Sequence, residues 1–197
     1  MNNLEPEVLN QVRQGNQNAF TQLVETYQRP VYNLCYRMLG DPNDAEDASQ
    51  ETFLRVYKNI KHYDRKRPFS TWLLSIAAHL CIDQLRKRRM VIVSMDETPY
   101  LEPADGLPGP EASFYRKQEQ QRMQDLLKTL NPHDRAAVIM YYWYDFSYEE
   151  IATSLSLTIS AVKSRLHRSR LSMAQSWSEQ KNSQLISERK AYESSTI

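Results

Sequence analysis

Glycine is scarce in this chain, with four in 197 residues, and no alternation of apolar and polar residues is sustained. That excludes a β-rich architecture, and helical periodicity takes its place. No run of eighteen apolar residues occurs, which excludes a membrane-spanning helix and so membrane insertion. The opening stretch MNNLEPEVLNQVRQG lacks both a basic leader and an apolar segment, so no secretory signal is expected and a cytoplasmic location is. There are only two cysteines, Cys35 and Cys81, both in apolar helical contexts. They read as buried thiols in a reducing compartment rather than as a disulfide framework. The four histidines show no metal-ligand spacing among themselves or with the cysteines. A glycine-rich phosphate loop and a nucleophile motif are also missing. The expectation is a protein that is not an enzyme and needs no cofactor and no metal.

Net charge is only +1, so bulk charge does not announce a nucleic-acid binder. The charge is sorted instead. From Lys61 to Arg89 there are eight Lys and Arg residues against Asp64 and Asp83, and from Lys163 to Arg170 four and no acids. Asp41–Glu51 and Asp96–Glu111 carry five acids each and no Lys or Arg. A chain sorted in this way presents separate surfaces to separate partners.

The periodicity predicts helices near Glu5–Gln14, Asn18–Leu39, Asp44–Ile60, Ser70–Arg88, Ala112–Leu130, Pro132–Tyr144, Ser147–Leu155 and Ser160–Trp177. Between Met90 and Glu111 lie four prolines, two glycines and several acids, an extended linker by composition. The fold class is therefore all-α: two small helical domains joined by a flexible acidic Pro-rich linker. The expected boundaries are 5–89, linker 90–111, 112–177, and a polar tail 178–197 expected to be disordered.

The stretch SYEEIATSLSLTISAVKSRLHRSR, Ser147–Arg170, is the most specific. Ser147 with Glu150 makes a capping box. Ile151 and Leu155 supply an apolar stripe, Ser156 falls at a turn, and Thr158 caps a second helix. In that second helix Val162, Leu166 and Met173 share one face. Ser160, Lys163, Ser164, His167 and Arg168 share the opposite one. This is a helix-turn-helix pattern, whose second helix enters the DNA major groove. Lys163 and Arg168 suit guanine edges or phosphates, Ser164 and His167 suit bases, and the flanking Arg165 and Arg170 suit phosphates.

Within Asp44–Ile60, the residues Ala45, Val56 and Ile60, with Phe53 beside them, form a core face. Asp47, Gln50, Glu51 and Leu54 follow helical spacing on the other side. A leucine among acids reads as a protein-docking ridge, or as a solvated acidic face with a stray leucine. Ser70–Arg88 is apolar over most of its circumference and should be a central helix. Its polar stripe is Ser75, His79, Asp83 and Arg86, and it ends in Arg86-Lys87-Arg88-Arg89. Those cations suit either a helix C-terminus or phosphates. The loop Asp64–Pro68, DRKRP, is polar and cationic, able to reach phosphates or a splayed base.

Together these pieces resemble a bacterial RNA polymerase sigma factor of the extracytoplasmic-function (ECF) group. DAEDASQETFLRVYKNI is similar to the family's core-polymerase-binding helix. PFSTWLLSIAAHLCIDQLRKR is similar to its TWL-x-x-IA-x-N-x-x-x-D-x-L-R segment, which recognises the minus-ten element. LNPHDRAAVIMYYWYDFSYEEIA and AVKSRLHRSR are similar to the approach to, and the recognition helix of, the minus-thirty-five reader. Three features depart from the pattern. His79 stands where the family has asparagine, Ser156 where it has a turn glycine, and DRKRP replaces a loop with a glycine and a small or acidic residue. The resemblance implies that Asp47, Gln50, Glu51 and Leu54 bind core RNA polymerase. It implies minus-ten contacts from Asp64, Arg65, Lys66, Arg67, Ser75, His79, Asp83, Arg86 and Arg88. Minus-thirty-five contacts would come from Ser160, Lys163, Ser164, Arg165, His167, Arg168 and Arg170. The implied partners are core RNA polymerase, promoter DNA and an anti-sigma factor. The implied mechanism is recruitment and capture of unpaired bases, with the linker setting the distance between the two readers. Two other readings stand beside it: a dimeric helix-turn-helix regulator, and an adaptor that binds polymerase without promoter selectivity.

Overall fold

The computed structural model describes residues 5–94 and 111–194, with side chains within 5–90 and 118–181. The chain is all-α as expected, with eight α-helices among the described residues: α1 Pro6–Arg13, α2 Gln17–Leu39, α3 Pro42–Asn59, α4 Phe69–Ser94, α5 Glu111–Lys128, α6 Pro132–Tyr144, α7 Tyr148–Ser154 and α8 Ile159–Ser194. A 3-10 turn, Ile60–His62, follows α3.

Local chemistry sets most of the boundaries. Asn16 caps α2 by accepting from Ala19 N at 3.1 Å. The same helix stops at Gly40, whose left-handed φ of 78° turns its N–H back to Tyr36 O at 2.8 Å. Asp41 then caps α3 by accepting from Asp44 N at 2.9 Å, with Pro42 in the first turn. This is why α3 starts two residues before the periodicity suggested. Asn131 and Pro132 start α6 in the same manner, with Asn131 accepting from Asp134 N at 3.0 Å.

The tail departs from expectation. The polar segment from Ser178, expected to be disordered, continues α8 as helix to Ser194. A run without proline or glycine that extends an existing helix needs no new nucleation. Of the expected linker, 90–94 extend α4 and Glu111 opens α5, while 95–110 lie outside the described residues.

Helix α4 is central, as its all-round apolarity required. It packs on α2, α3, α6 and α7, burying Leu73, Leu74, Ala77, Ala78, Leu80, Cys81 and Ile82. Its second neighbourhood was not expected. Helix α6 packs against both α2 and α4 while also meeting α7 and α8. Seven consecutive residues of α6, Asp134–Met140, are buried. Buried side chains from both halves of the chain therefore merge into one apolar cluster.

Candidate docking and nucleic-acid interfaces

The acidic ridge forms on α3 as the spacing required. Ala45, Ala48, Thr52, Phe53 and Val56 face inward, while Asp47, Gln50 and Leu54 are exposed. Leu54 is 55% exposed, a large apolar side chain held in water between acids. Glu51 is half-buried and accepts from Arg55 Nε at 2.8 Å, a bond that holds its carboxyl below the usual range. Two features escaped the sequence reading. Tyr57 is 48% exposed one turn beyond Leu54 and meets the Phe20 ring edge-on at 5.0 Å. An open groove of about 490 Å³ between α2 and α3 runs beside the ridge, with Val24, Arg29, Tyr32 and Gln50 among its walls. The i, i+3 continuation to Tyr57 was readable in sequence; the α2 wall was not.

The loop after the 3-10 turn is a built turn rather than a loose connector. Asp64 accepts from Lys66 N at 3.0 Å, Arg67 N returns to Asp64 O at 3.1 Å, and the Tyr63 hydroxyl donates to Arg67 O at 2.5 Å. Arg65 donates to Asn10 of α1, and Arg13 donates to Lys61 O at 3.1 Å. Helix α1 thus holds the loop, leaving the exposed Lys66 and Arg67 as its outward cations. The concavity lies beside the loop, not inside it. A groove of about 380 Å³ is lined by Arg55, Asn59, His62, Trp72, Ser75, Ile76 and His79. Trp72 offers a ring to it, and Arg55, Asn59, His62 and His79 can hydrogen-bond through nitrogen.

Along the α4 stripe, Ser75 donates to Trp72 O at 2.7 Å and is half-buried, whereas His79, Asp83 and Arg86 are exposed. His79 Nδ1 lies 2.8 Å from Ser75 O. A carbonyl can only accept, so Nδ1 carries the proton and a neutral His79 presents Nε2 as an acceptor. Asp83 and Arg86 pair at 3.3 Å. Arg88 pairs with Asp44 at the start of α3, which gives that cation a protein partner the sequence reading did not foresee.

The helix-turn-helix takes the form its sequence specified. Ser147 Oγ accepts from Glu150 N at 3.1 Å, and Glu150 Oε2 accepts from Ser147 N at 2.9 Å. Ser156 adopts a left-handed φ of 54°, the conformation for which the family uses a turn glycine. Leu157 N then reaches Ala152 O at 2.8 Å, and Thr158 caps α8 through Ala161 N at 3.1 Å. Val162 and Leu166 are buried, while Ser160, Lys163, Ser164, His167, Arg168 and Arg170 are exposed. Lys163 Nζ also sits 5.6 Å over the Tyr148 ring. Arg165 is placed differently. It donates to Asp134 at 2.6 Å, with only 28% of its side chain exposed, so it ties α8 to the start of α6. Beside it, burial and the charges of Arg165, His79 and Arg86 hold the His133 imidazole below its ordinary value, against the opposing pull of Asp134.

Two surfaces that suit nucleic acid and one that suits protein, all on helical elements, define a DNA-binding recruitment factor. Similarity to known proteins makes that class specific. Residues 23–90 match the family model Sigma-70 region 2, and residues 120–173 match Sigma-70, region 4. The chain is 36% identical over 170 residues to the ECF RNA polymerase sigma factor SigW of Bacillus subtilis, spanning 82% of this chain and 90% of that one. Its fold is similar to CnrH in its complex with the cytosolic domain of CnrY, with a TM-score of 0.66 at 23% identity over 87% of this chain and 96% of that one. It is also similar to the sigma factor RpoE bound to the anti-sigma factor NepR from Bartonella quintana, with a TM-score of 0.59 at 21% identity over 79% and 94%. The chain belongs to the ECF RNA polymerase sigma factors. It is a transcription initiation factor that directs RNA polymerase to promoters.

Proposed function

We propose that the protein works as two readers joined to one docking ridge. Residues 5–89 form the region 2 unit and 112–177 the region 4 unit. The α3 ridge of Asp47, Gln50, Glu51 and Leu54, extended by Tyr57, docks on core polymerase. The observation that carries this reading is the exposed Leu54 among carboxylates on a helix whose opposite face is fully buried. The face of Ser160, Lys163, Ser164, His167 and Arg168 enters the major groove at the minus-thirty-five element, with Arg170 on a phosphate.

At the minus-ten element, the α4 stripe meets the duplex and the adjoining groove receives an unpaired base. Trp72 stacks on that base, and the groove's polar side chains read its edge. The cations Lys66 and Arg67 hold the displaced strand. Arg65, Arg88 and Arg165 serve mainly to position, since each already has a protein partner. The protein recruits rather than catalyses, and it acts in the cytoplasm, where its template is. No helix among the described residues is long and apolar enough to cross a membrane. An anti-sigma factor is the expected regulator, since RpoE was solved with one. Run-off transcription with core polymerase on genomic promoter fragments tests the whole reading. Promoter-specific transcripts are expected; their absence, with binding to DNA alone, would favour a stand-alone helix-turn-helix regulator.

A further inference from the structure

Helix α1 belongs neither to the reading faces nor to the docking ridge, and it precedes the stretch 23–90 that matches region 2. A helix of eight residues is marginal alone in water, so packing must hold it. Val12 is 2% exposed, and Val8 and Leu9 pack on the same core, where α1 meets α2 and the 3-10 turn. From this seat α1 makes two polar bonds, to residues 48 and 55 positions further along the chain. Arg13 Nη2 donates to Lys61 O at 3.1 Å, and Asn10 Oδ1 accepts from Arg65. One bond lies just before the Asp64–Pro68 turn and the other inside it.

The turn has reason to need such an anchor. Arg65, Lys66 and Arg67 are consecutive exposed cations, and Asp64 is the one acid in Lys61–Pro68. Like charges this close repel, and long side chains in water sample many rotamers. The bonds from Lys66 N and Arg67 N to Asp64, and from the Tyr63 hydroxyl to Arg67 O, shape the turn internally. The buried Tyr63 ring attaches it to α4, with its centre 5.3 Å from those of Phe69 and Trp72. Helix α1 supplies a polar attachment, and it engages Arg65 while Lys66 and Arg67 stay exposed.

We propose that α1 is a positioning element for promoter opening. Asn10 and Arg13 hold the turn so that Lys66 and Arg67 meet the phosphates of the displaced strand. This rests on the reading of those two cations as strand holders. A loop already fixed gives up less freedom when it takes the strand, so the brace favours capture. Capture follows duplex binding, so a loosened turn slows opening and leaves the initial complex alone. Phosphates carry no sequence information, so the loss is uniform across promoters.

The test uses the full chain bound to core polymerase. Permanganate reactivity of unpaired thymines follows opening on several promoters over a range of holoenzyme concentrations. The plateau rate reads opening, and the half-saturating concentration reads initial binding. Asn10→Ala with Arg13→Ala should lower the plateau rate on the order of fivefold on every promoter, from two exposed hydrogen bonds at the low end of their range. The half-saturating concentration should not change. Asn10→Asp keeps an acceptor for Arg65 and should open at least as fast as wild type. Asn10→Lys sets a like charge against Arg65 and should open more slowly. Equal plateau rates for wild type, the double variant and Asn10→Lys would overturn the brace. A weaker initial complex with an unchanged plateau would do the same, as would slowing confined to some promoters. If circular dichroism shows the double variant unfolded, Asn10→Asp against Asn10→Lys decides, and equal rates overturn the proposal. Lys66→Ala with Arg67→Ala keeps the two ideas apart. Normal opening by that variant sinks the strand-holding reading and the brace with it. Slow opening by it, beside wild-type rates for the Asn10 and Arg13 variants, sinks the brace alone.

Discussion

Replacing Arg135 with methionine gives the sharpest test of how the two halves are held. Arg135 is 7% exposed, and its guanidinium forks to three backbone carbonyls, at the ends of α2 and α5 and in the turn just after α5. The carbonyls of Met38 and Lys128 sit at helix C-termini, where a cation is favoured by the helix dipole as well as by hydrogen bonding. Bonds from a charged donor contribute about 1.5–3 kcal/mol each, so three would amount to at least about 4.5 kcal/mol. Desolvation opposes this: burial pushes the guanidinium pKa down, and Nε has no acceptor. Methionine keeps the aliphatic stem while leaving the carbonyls unpaired, for an expected net cost of about 3–4 kcal/mol. At about 2–4 °C per kcal/mol for a chain of this size, Tm should fall by about 6–16 °C. Arg135→Lys keeps the charge but not the fork, and should recover less than half of the loss. Thermal unfolding followed by circular dichroism reads both variants. A fall of less than about 2 °C for methionine, or full rescue by lysine, would refute the forked clasp.

Glu51→Lys with Leu54→Ala should abolish co-purification with core polymerase. Stability should change by little, about 0.5 kcal/mol at the exposed Leu54 and about 0.3–0.5 kcal/mol for the lost Glu51–Arg55 pair; unchanged co-purification would remove the ridge from the docking surface. Arg168→Ala should cost about 1–3 kcal/mol in promoter binding and relax preference at one base pair. Arg170→Ala should weaken binding to all sequences alike and flatten the salt dependence, whereas Arg165→Ala should lower Tm through the lost Asp134 pair and leave base preference intact. In a transcribed promoter library, His79→Asn should alter preference at one minus-ten position, because it replaces the Nε2 acceptor by an amide that also donates. Exchanging Asp64–Pro68 for a loop without Lys66 and Arg67 should weaken transcription from all promoters alike, because the base-reading groove lies beside the loop, and should spare the minus-thirty-five preference. Acidification should destabilise the fold through His133. Its folded pKa is depressed, so its contribution is full above the ordinary imidazole value of about 6.5 and is lost as pH falls through that value toward the folded one. Arg165, His79 and Arg86 push in this direction and Asp134 against it. In His133→Asn, the fall of Tm between about pH 7 and 5 should be shallower than in wild type.

The amino-acid sequence by itself determined the elements whose causes lie within a few residues. The Ser147–Glu150 capping box, the Asn131-Pro132 start of α6 and the Thr158 cap each close over three positions, so their geometry follows from the residue types. The exposed ridge on α3 and the polar face of α8 followed from helical periodicity once the inward residues were recognised. Even the turn at Ser156 was placed correctly, because its neighbours on both sides are capped helices. The tertiary structure decided what depends on residues far apart. Arg88 turns to Asp44 and Arg165 to Asp134, which draws two cations predicted for DNA into the protein. No spacing rule links positions separated by 31 residues or more. The seating of α6 likewise rests on bonds such as Arg135 to Met38, 97 positions apart. One local hint of it existed: the run AAVIMYYWY is apolar on every side, more than a helix with a single neighbour requires. Apolarity all round says that a helix is buried. Which surfaces bury it is a property of the assembled chain, because a hydrophobic face has no direction and carries no address.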